Sequence, residues 1–262
     1  VVTVLDLICV LFPHYQPLKP RLIAQTALRR AVKDADALIA ISEHTKQDLM
    51  RLMNVPEDRI FVTPLAADPH FTPRQDDGAL ARCGIDAPYV LYVGRLESHK
   101  NIGLLLQAFA ALPNMDVKLV LVGTKGWLYD EMLATLKQLG LGNRVIVTGF
   151  VSDADLPVLY SQAQAFVYPS RYEGFGLPVL EAMQCGVPVI TTNVSSLPEV
   201  AGDAALLVSP DDAQGLTREL GRVLSEPGLR QELRGKGLAQ AARFSWHKTA
   251  QMTADVYRQV IG

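Results

Sequence analysis

The sequence predicts an α/β protein: a doubly wound, Rossmann-like domain with a parallel sheet, preceded by part of a second domain of the same kind. From residue 88 onward, short apolar runs alternate regularly with stretches of helical spacing. The apolar runs are hydrophobic on both faces, as strands are when helices cover both sides of a parallel sheet. Each run ends on Gly, Ser or Thr, which marks the point where a strand gives way to a loop.

The larger unit contains a series of predicted strands, each followed by a predicted helix. The strands occupy residues 89–94, 117–123, 144–149, 165–170, 187–192 and 204–209. The helices occupy residues 101–112, about 127–139, 153–163, about 178–186, 196–202 and the sequence from 212 onward. Trp127 and Tyr129, at the start of the second helix, are expected to pack there rather than to stack on a base.

The segment ahead of this unit predicts a smaller one. Its predicted strands and helices lie at residues 1–12, 37–42 and 59–64, and at about 18–33 and 44–53. Because about seventy residues fall short of the usual domain of ~100–150 residues, we interpret residues 1–70 as the remnant of an N-terminal Rossmann-like domain. The chain opens on Val1 within a predicted strand, which indicates a fragment of a longer protein.

A linker joins the two units. Residues 64–78 carry three prolines and a polar tail, a composition typical of a connection between domains. We therefore assign residues 71–245 to a complete C-terminal domain. The terminal helix, within residues 246–262, is compatible with packing on either unit, including a return onto the N-terminal part.

Composition and charge exclude several classes of protein. The 262-residue chain is 49% hydrophobic with a formal net charge of -2 and no Lys/Arg-rich run, so no nucleic-acid partner is expected. The widely spaced Cys9, Cys83 and Cys185 indicate neither a disulfide scaffold nor a zinc site. The longest apolar run contains Asp6, is too short to span a bilayer and lacks the features of a signal peptide. These observations favour a cytoplasmic protein.

One loop of the larger unit brings two cations together. In open parallel sheets, ligands bind at the carboxyl ends of the strands. The loop after the first strand reads GRLESHKN (94–101), with Arg95 directly after the strand and Lys100 before a helix. Both side chains can reach over the same edge of the sheet, and a guanidinium together with an ammonium suits a diphosphate. A pair of solvated surface charges is the alternative interpretation.

A second loop predicts an anion site. The fourth strand of the unit leads into EGFGLPVLE (173–181). Gly174 and Gly176 allow close approach of the backbone, and Pro178 fits the first turn of a helix. The free N–H groups of residues 175–177 would then form an anion site that the helix dipole reinforces.

The two carboxylates of this motif, Glu173 and Glu181, lie at its two ends. Helical geometry separates them by roughly 6–7 Å along the axis. That separation exceeds the ~5 Å between the carboxyl groups of a retaining glycoside hydrolase. We therefore expect the two side chains to contact opposite ends of one ligand, with its phosphates resting on the start of the helix.

These segments resemble a known family. GRLESHKN, GFV, YPSRYEGFGLPVLEAMQCGVPVITT and FSW…Y are similar to the donor half of the retaining glycosyltransferases of family 4, which have the two-domain GT-B fold. ADALIAISEHTKQDL resembles the segment before the interdomain linker of the same enzymes, so the resemblance covers essentially the whole chain. It implies that residues 71–245 form the nucleotide-sugar donor domain and that residues 1–70 belong to the acceptor-side domain.

The resemblance also implies an activity. The enzyme would move a hexose of the mannose or glucose type from GDP-mannose or a UDP-hexose to a glycan or lipid-linked acceptor, in bacterial surface polysaccharide synthesis. It would need no metal and no cofactor beyond the donor substrate. It would act in the cytoplasm, at the inner face of the membrane, with peripheral membrane contact through the absent N-terminal half. A nucleotide-sugar binding module without catalysis is the alternative.

The resemblance implies a role for each matching residue. The implied donor-binding residues are Gly94, Arg95, Lys100, Phe150, Val151, Glu173, Gly174, Phe175, Gly176, Leu177 and Glu181. Three of these, Arg95, Lys100 and Glu173, would also carry catalysis, the two cations by neutralising the diphosphate and the carboxylate by contacting the sugar.

The other end of the donor would be held elsewhere. Backbone groups of Phe150 and Val151 would contact the base, Glu181 would bind the ribose hydroxyls, and the N–H groups of residues 175–177 would hold sugar and phosphate.

The sequence departs from the family next to Asp6. Many relatives carry a His immediately before this residue, and here the position is Leu5, so no catalytic role is carried over to it. Because residues 1–70 would supply only part of the acceptor wall, and Leu5 replaces a polar family residue there, we expect this chain to fold and to bind nucleotide but to transfer little or no sugar by itself.

Two other patterns have simpler interpretations. The D-x-D runs at 34–36 and 153–155 could suggest a metal site. The first run falls where a predicted helix gives way to a strand, and the second, together with Ser152, fits a helix cap. Because hard cations need several converging oxygens, no metal site is expected. His99, beside Lys100, is expected to be a solvated loop histidine.

Overall fold

The computed structural model describes residues 1–15, 17–113, 116–126 and 129–262. Its strands are β1 (Val2–Val4), β2 (Leu38–Ala40), β3 (Ile60–Val62), β4 (Tyr89–Val93), β5 (Lys118–Val122), β6 (Val145–Gly149), β7 (Ala165–Tyr168), β8 (Val189–Thr192) and β9 (Ala205–Val208). Its helices are α1 (Ile8–Leu11), α2 (Leu18–Asp34), α3 (Glu43–Met53), α4 (Asp77–Arg82), α5 (Ile102–Ala110), α6 (Tyr129–Gln138), α7 (Leu156–Gln162), α8 (Leu177–Gln184), α9 (Leu197–Ala201), α10 (Ala213–Ser225), α11 (Pro227–Ala241) and α12 (Trp246–Ile261).

The larger sheet has the order β6-β5-β4-β7-β8-β9, and all its strands are parallel. The chain adds strands outward on one side of β4 and then returns to add them outward on the other side, beginning with β7. This is the strand order of a doubly wound Rossmann sheet. The prediction of a doubly wound, parallel α/β fold is confirmed.

The smaller sheet has the order β1-β2-β3 and is also parallel. Its first strand is shorter than the sequence predicts, since β1 ends at Val4 and α1 begins at Ile8. The carboxylate of Asp6 accepts a hydrogen bond from the N–H of Ile8 at 3.0 Å, which favours a turn into a helix over further extension. The predicted strand over residues 1–12 is therefore wrong beyond its first third.

Two other predicted elements differ in their bounds. Helix α7 begins at Leu156 rather than at 153, because residues 153–155 form a turn in which Ser152 accepts the N–H of Asp155. The predicted contact of Trp127 at the start of α6 lies outside the described residues, whereas Tyr129 is the first residue of that helix.

The buried core surrounds β4 and β7 and is rich in tyrosine. Tyr89, Tyr92, Tyr160 and Tyr168 have almost no exposed surface. Each buried hydroxyl needs a partner, because an unpaired polar group in an apolar core is costly. Tyr89 accordingly donates to the carbonyl of Leu159 at 2.8 Å. Tyr92 donates to the carbonyl of Arg95 at 3.1 Å, which ties β4 to the loop that follows it at the carboxyl edge of the sheet.

Residues 64–78 are less solvated than a polar linker would be. Ala66, Ala67 and Phe71 are buried, and the Phe71 ring packs edge-on against Tyr160 with centroids 5.8 Å apart. The terminal helix α12 lies on the small sheet, where Val256 packs with Ala37 and neighbouring apolar side chains. In the described ranges the two sheets are thus joined by packed contacts as well as by the chain itself.

Candidate functional site

A cleft of about 560 Å³ lies at the point where the large sheet reverses its strand order. The loops that follow the adjacent strands β4 and β7 separate there and leave a crevice, the usual ligand position in such sheets. One wall comes from the N-terminal part and the linker, and the other from the large domain. The lining residues used below are Leu5, Asp6, Gly94, Arg95, Glu97, His99, Lys100, Tyr168, Tyr172, Glu173, Gly174, Phe175, Gly176, Leu177 and Glu181.

The loop before α8 presents backbone donors to this cleft. Gly176 precedes the first residue of the helix and has φ +110°, a conformation that L side chains rarely adopt. In the described part of the chain, the N–H groups of residues 174–177 meet no acceptor. Unpaired N–H groups at a helix start attract anions, and the helix dipole adds to this attraction. The predicted anion site therefore has the required backbone geometry.

Lys100 and Glu173 form a buried ion pair inside the cleft. The Lys100 ammonium donates to both carboxylate oxygens of Glu173, at 2.7 and 2.9 Å, and to the hydroxyl of Tyr168 at 3.0 Å. The side chains of the pair are only 14% and 12% exposed. Burial alone would lower the pKa of Lys100, but the attraction of Glu173, aided by Tyr92, outweighs it and raises that pKa above its ordinary value. Lys100 is therefore charged at neutral pH and already partly neutralised.

Arg95 does not share this arrangement. Its guanidinium is 66% exposed and lies 3.1 Å from the carboxylate of Glu97. Both Arg95 and Lys100 line the cleft, yet Lys100 is buried on Glu173 and Arg95 stands at the solvent edge. Because an exposed ion pair contributes little and rearranges easily, Arg95 is free to turn toward a ligand.

Glu181 lies in α8 and faces the same cleft as Glu173. One of its carboxylate oxygens accepts a hydrogen bond from the buried hydroxyl of Tyr160 at 2.9 Å. Burial raises the pKa of Glu181, and the Tyr160 hydrogen bond only partly opposes this shift. A buried carboxylate with one partner gains from further donors, such as the hydroxyl groups of a ligand.

Phe150 and Val151 lie apart from the cleft. They line a separate concavity of about 410 Å³ that also contains Arg82 and Asp155. Phe150 is 77% exposed, whereas Val151 is buried. The structure therefore brings the two predicted base-binding residues together, but not into the space that holds Lys100 and the two glutamates.

His99 is buried, contrary to the expected solvated loop histidine. Its side chain lines the cleft, with Nδ1 3.5 Å from a carboxylate oxygen of Glu97. Burial and the neighbouring Lys100 lower the pKa of His99 to about 4, so the ring is neutral at pH 7. It consequently adds no positive charge for a phosphate.

Two cleft residues escaped the sequence analysis. Asp6 lines the N-terminal wall, and burial, with a smaller contribution from Glu173, raises its pKa. Tyr172 crosses between the walls: its hydroxyl donates to Asp48 at 2.8 Å and accepts the N–H of Leu7 at 3.3 Å. The sequence showed Asp6 as a charge within an apolar run but gave it no role in the site, and no local signal identifies Tyr172.

Gly174 sits where the two walls meet, and its lack of a side chain is required. A Cβ at this position would lie 1.9 Å from the carbonyl oxygen of Leu5. Gly174→Ala is therefore expected to push the N-terminal wall away and to lower the free energy of unfolding by about 1–3 kcal/mol. Urea denaturation measures the change. Gly235→Ala is the matched control, because its Cβ meets no atom within 4 Å in helix α11, and it should be neutral or stabilising.

Residues 1–15, 17–113, 116–126 and 129–262 contain neither a metal-ligand cluster nor a membrane-spanning helix. Over these ranges no three His, Cys, Asp or Glu side chains converge as metal ligands. Asp155 of the second D-x-D run instead pairs with Arg82. No helix within the same ranges has the length and apolar character needed to cross a membrane.

Comparison with known proteins decides the family. Residues 84–240, more than half of the chain, match the family described as Glycosyl transferases group 1. The chain belongs to this family. The O-antigen chain mannosyltransferase B of Escherichia coli is 39% identical over an alignment of 258 positions, which covers 94% of this group 1 chain and 66% of that protein.

Other matches are to longer proteins. The serotype-specific mannosyltransferase WbdA of Escherichia coli is 31% identical over an alignment of 237 positions, which covers 87% of this chain and 29% of that protein. This group 1 chain thus spans less than two-thirds of the length of both relatives. The solved sucrose-phosphate synthase from Thermosynechococcus elongatus superposes with a TM-score of 0.83 at 30% identity, over 99% of this chain and 67% of that one. The fold matches that of GT-B glycosyltransferases.

Proposed function

We propose that this chain is the donor-binding part of a retaining, metal-independent glycosyltransferase of family 4. The enzyme transfers a hexose from a nucleoside-diphosphate sugar to a glycan or lipid-linked acceptor in bacterial surface polysaccharide synthesis, at the inner face of the membrane. One observation carries the proposal: the unpaired N–H groups at the start of α8, Lys100 and two carboxylates all line one cleft at the switch point of the sheet.

The diphosphate is the ligand group that this arrangement fits best. The cleft is lined by more carboxyl groups than cations, so attraction of an anion must come from local donors rather than from the net field. The N–H groups of residues 174–177 and the ammonium of Lys100 supply such donors at one place. Arg95, held only at the solvent edge, closes over the phosphates from outside.

The two glutamates bind the sugar and the ribose of the donor. Glu173, already fixed by Lys100, accepts hydroxyl hydrogens of the sugar next to the diphosphate. Glu181 accepts those of the ribose, which relieves the cost of its burial. As the bond to the sugar breaks, negative charge grows on the leaving diphosphate. Donors already oriented toward it lower the barrier without reorganising, which is commonly the largest contribution to catalysis.

Mannose is the first sugar to test. The two relatives described above are named mannosyltransferases, which supports GDP-mannose as the donor, with a UDP-hexose as the second candidate. The acceptor would approach from the wall that contains Leu5 and Asp6.

Thermal unfolding with ligands tests the proposal. At a ligand concentration of a hundred times Kd, binding adds about 2.7 kcal/mol, so GDP or GDP-mannose should raise Tm by roughly 5–10 °C. UDP and UDP-glucose should raise Tm less than GDP and GDP-mannose do. Adding EDTA should change the Tm shift of no ligand. If no nucleoside diphosphate changes Tm, the cleft does not bind donors; if EDTA abolishes the shift, binding depends on a metal.

A further inference from the structure

A short segment outside the cleft, at the start of α9, makes hydrogen bonds to the loop over residues 173–176. That loop presents its backbone N–H groups to the cleft. Helix α9 is preceded by Ser195 and Ser196, and Ser196 and Glu199 have the S-x-x-E spacing of a capping box. Neither side chain caps this helix. The Ser196 hydroxyl makes no capping bond, and the Glu199 carboxylate accepts the N–H groups at the start of α3, at 3.0 Å from Glu43.

The two serines bind the backbone of the donor loop instead. The Ser196 hydroxyl lies 2.9 Å from the carbonyl oxygen of Glu173 and 2.7 Å from that of Phe175. Ser195 Oγ accepts the N–H of Glu173 at 3.0 Å. The carbonyl of Gly174 lies between those of Glu173 and Phe175 in the sequence, and it accepts the hydroxyl hydrogen of Thr45 at 3.3 Å. Three consecutive carbonyl groups are thus engaged by hydroxyls that do not line the cleft.

This pattern determines which way the N–H groups point. The described part of the chain has no cis peptide bond, so each N–H points opposite to the carbonyl of the same peptide unit. Since the carbonyls of residues 173–175 point toward the hydroxyls, the N–H groups of residues 174–176 point the other way. The loop residues line the cleft, whereas Thr45, Ser195 and Ser196 do not, so we infer that these N–H groups face the cleft.

The backbone of Ser195 supports a specific role for its side chain. Ser195 has φ +53°, a left-handed conformation that costs a non-glycine residue roughly 1 kcal/mol. Glycine would adopt it freely, but glycine has no oxygen to accept the N–H of Glu173. Ser196 is fully buried, so its hydroxyl has no competing water.

We propose that Ser195 and Ser196 are positioning residues for donor binding. They hold the loop over residues 173–176 so that its N–H groups face the diphosphate. This rests on the function proposed above. A purely structural role for the serines would change stability without changing the preference of the cleft for a diphosphate.

Two variants test the two serines separately. Ser195→Gly removes the acceptor of the Glu173 N–H while relieving the left-handed backbone, so Tm should not fall. Ser196→Ala removes the single hydroxyl hydrogen that the carbonyls of Glu173 and Phe175 share. Each variant is titrated by calorimetry with GDP and UDP and with the matching monophosphates GMP and UMP. Ser225→Ala is the control, because its exposed hydroxyl lies against carbonyl groups of its own helix α10, those of Gly221 at 2.8 Å and Arg222 at 3.5 Å.

The expected result is a selective loss of diphosphate binding. Affinity for the diphosphate should fall about threefold to tenfold in each serine variant, the size of effect expected for one or two hydrogen bonds. Affinity for the monophosphate should fall less, and the control should match wild type. If Ser195→Gly keeps its Tm and an unchanged preference for diphosphate, the positioning role is overturned, whatever Ser196→Ala does to folding. Wild-type protein that binds neither GDP nor UDP would instead overturn the proposed function.

Discussion

A Lys100→Ala variant is expected to lose both stability and nucleotide binding. Lys100 and Glu173 are almost completely buried, and the ammonium contacts both oxygens of the carboxylate. Removing one partner of a buried pair leaves the other charge uncompensated, which costs about 3–5 kcal/mol. Affinity for GDP should also fall by about tenfold to a hundredfold, the value of one charge-assisted bond. Urea denaturation measures the first effect and calorimetry the second.

Two further variants separate these effects. Lys100→Ala combined with Glu173→Gln removes the orphaned charge, so this double variant should recover part of the lost stability but none of the lost GDP affinity. Arg95→Ala is the matched cation control: its exposed pair with Glu97 should contribute at most about 1 kcal/mol to stability. Equal losses of stability in Arg95→Ala and Lys100→Ala would contradict the buried pair.

The sequence predicted the elements of the large domain well, because their signals are local. Strands apolar on both faces, each closing on a small or polar residue, predict a parallel sheet wherever they occur. The start of α8 was equally visible, since Gly176 and Pro178 specify a turn and the first helical residues. The length of β1 was overestimated, because the apolar run continues past the strand. Asp6, the one charged residue in that run, accepts the N–H of Ile8 where the chain turns into α1.

The arrangement of the site was harder to predict, because it depends on contacts between distant residues. Lys100 and Glu173 are 73 residues apart, and nothing in either loop shows that their side chains meet. The sequence grouped Lys100 with Arg95 by proximity, whereas packing buries one and leaves the other exposed. His99 was misjudged for the same reason: it is buried, and the ring of the distant Tyr15 lies beside it with centroids 6.1 Å apart.

Glu173→Gln is expected to weaken binding of the nucleotide sugar while sparing the free nucleotide. The carboxylate contacts Lys100 in the cleft, and the proposed sugar site lies beside it. Replacing it with a neutral amide frees the ammonium for the diphosphate, so GDP should bind as tightly as to wild type or more tightly. The nucleotide sugar loses a charge-assisted acceptor, worth about 1.5–3 kcal/mol, and its affinity should fall by about tenfold to a hundredfold.

The comparison with Glu181→Gln makes this result specific. Glu181 contacts Tyr160 rather than a cation, and a glutamine can still accept that hydroxyl. Its proposed partner, the ribose, is present in both GDP and GDP-mannose, so Glu181→Gln should weaken both ligands by a similar factor. Calorimetry with both ligands gives the ratio of affinities for each variant. Only Glu173→Gln should change that ratio, because only Glu173 is placed at the sugar. A parallel loss of both ligands in Glu173→Gln would place this carboxylate at the nucleotide and remove the reason for two glutamates in one motif.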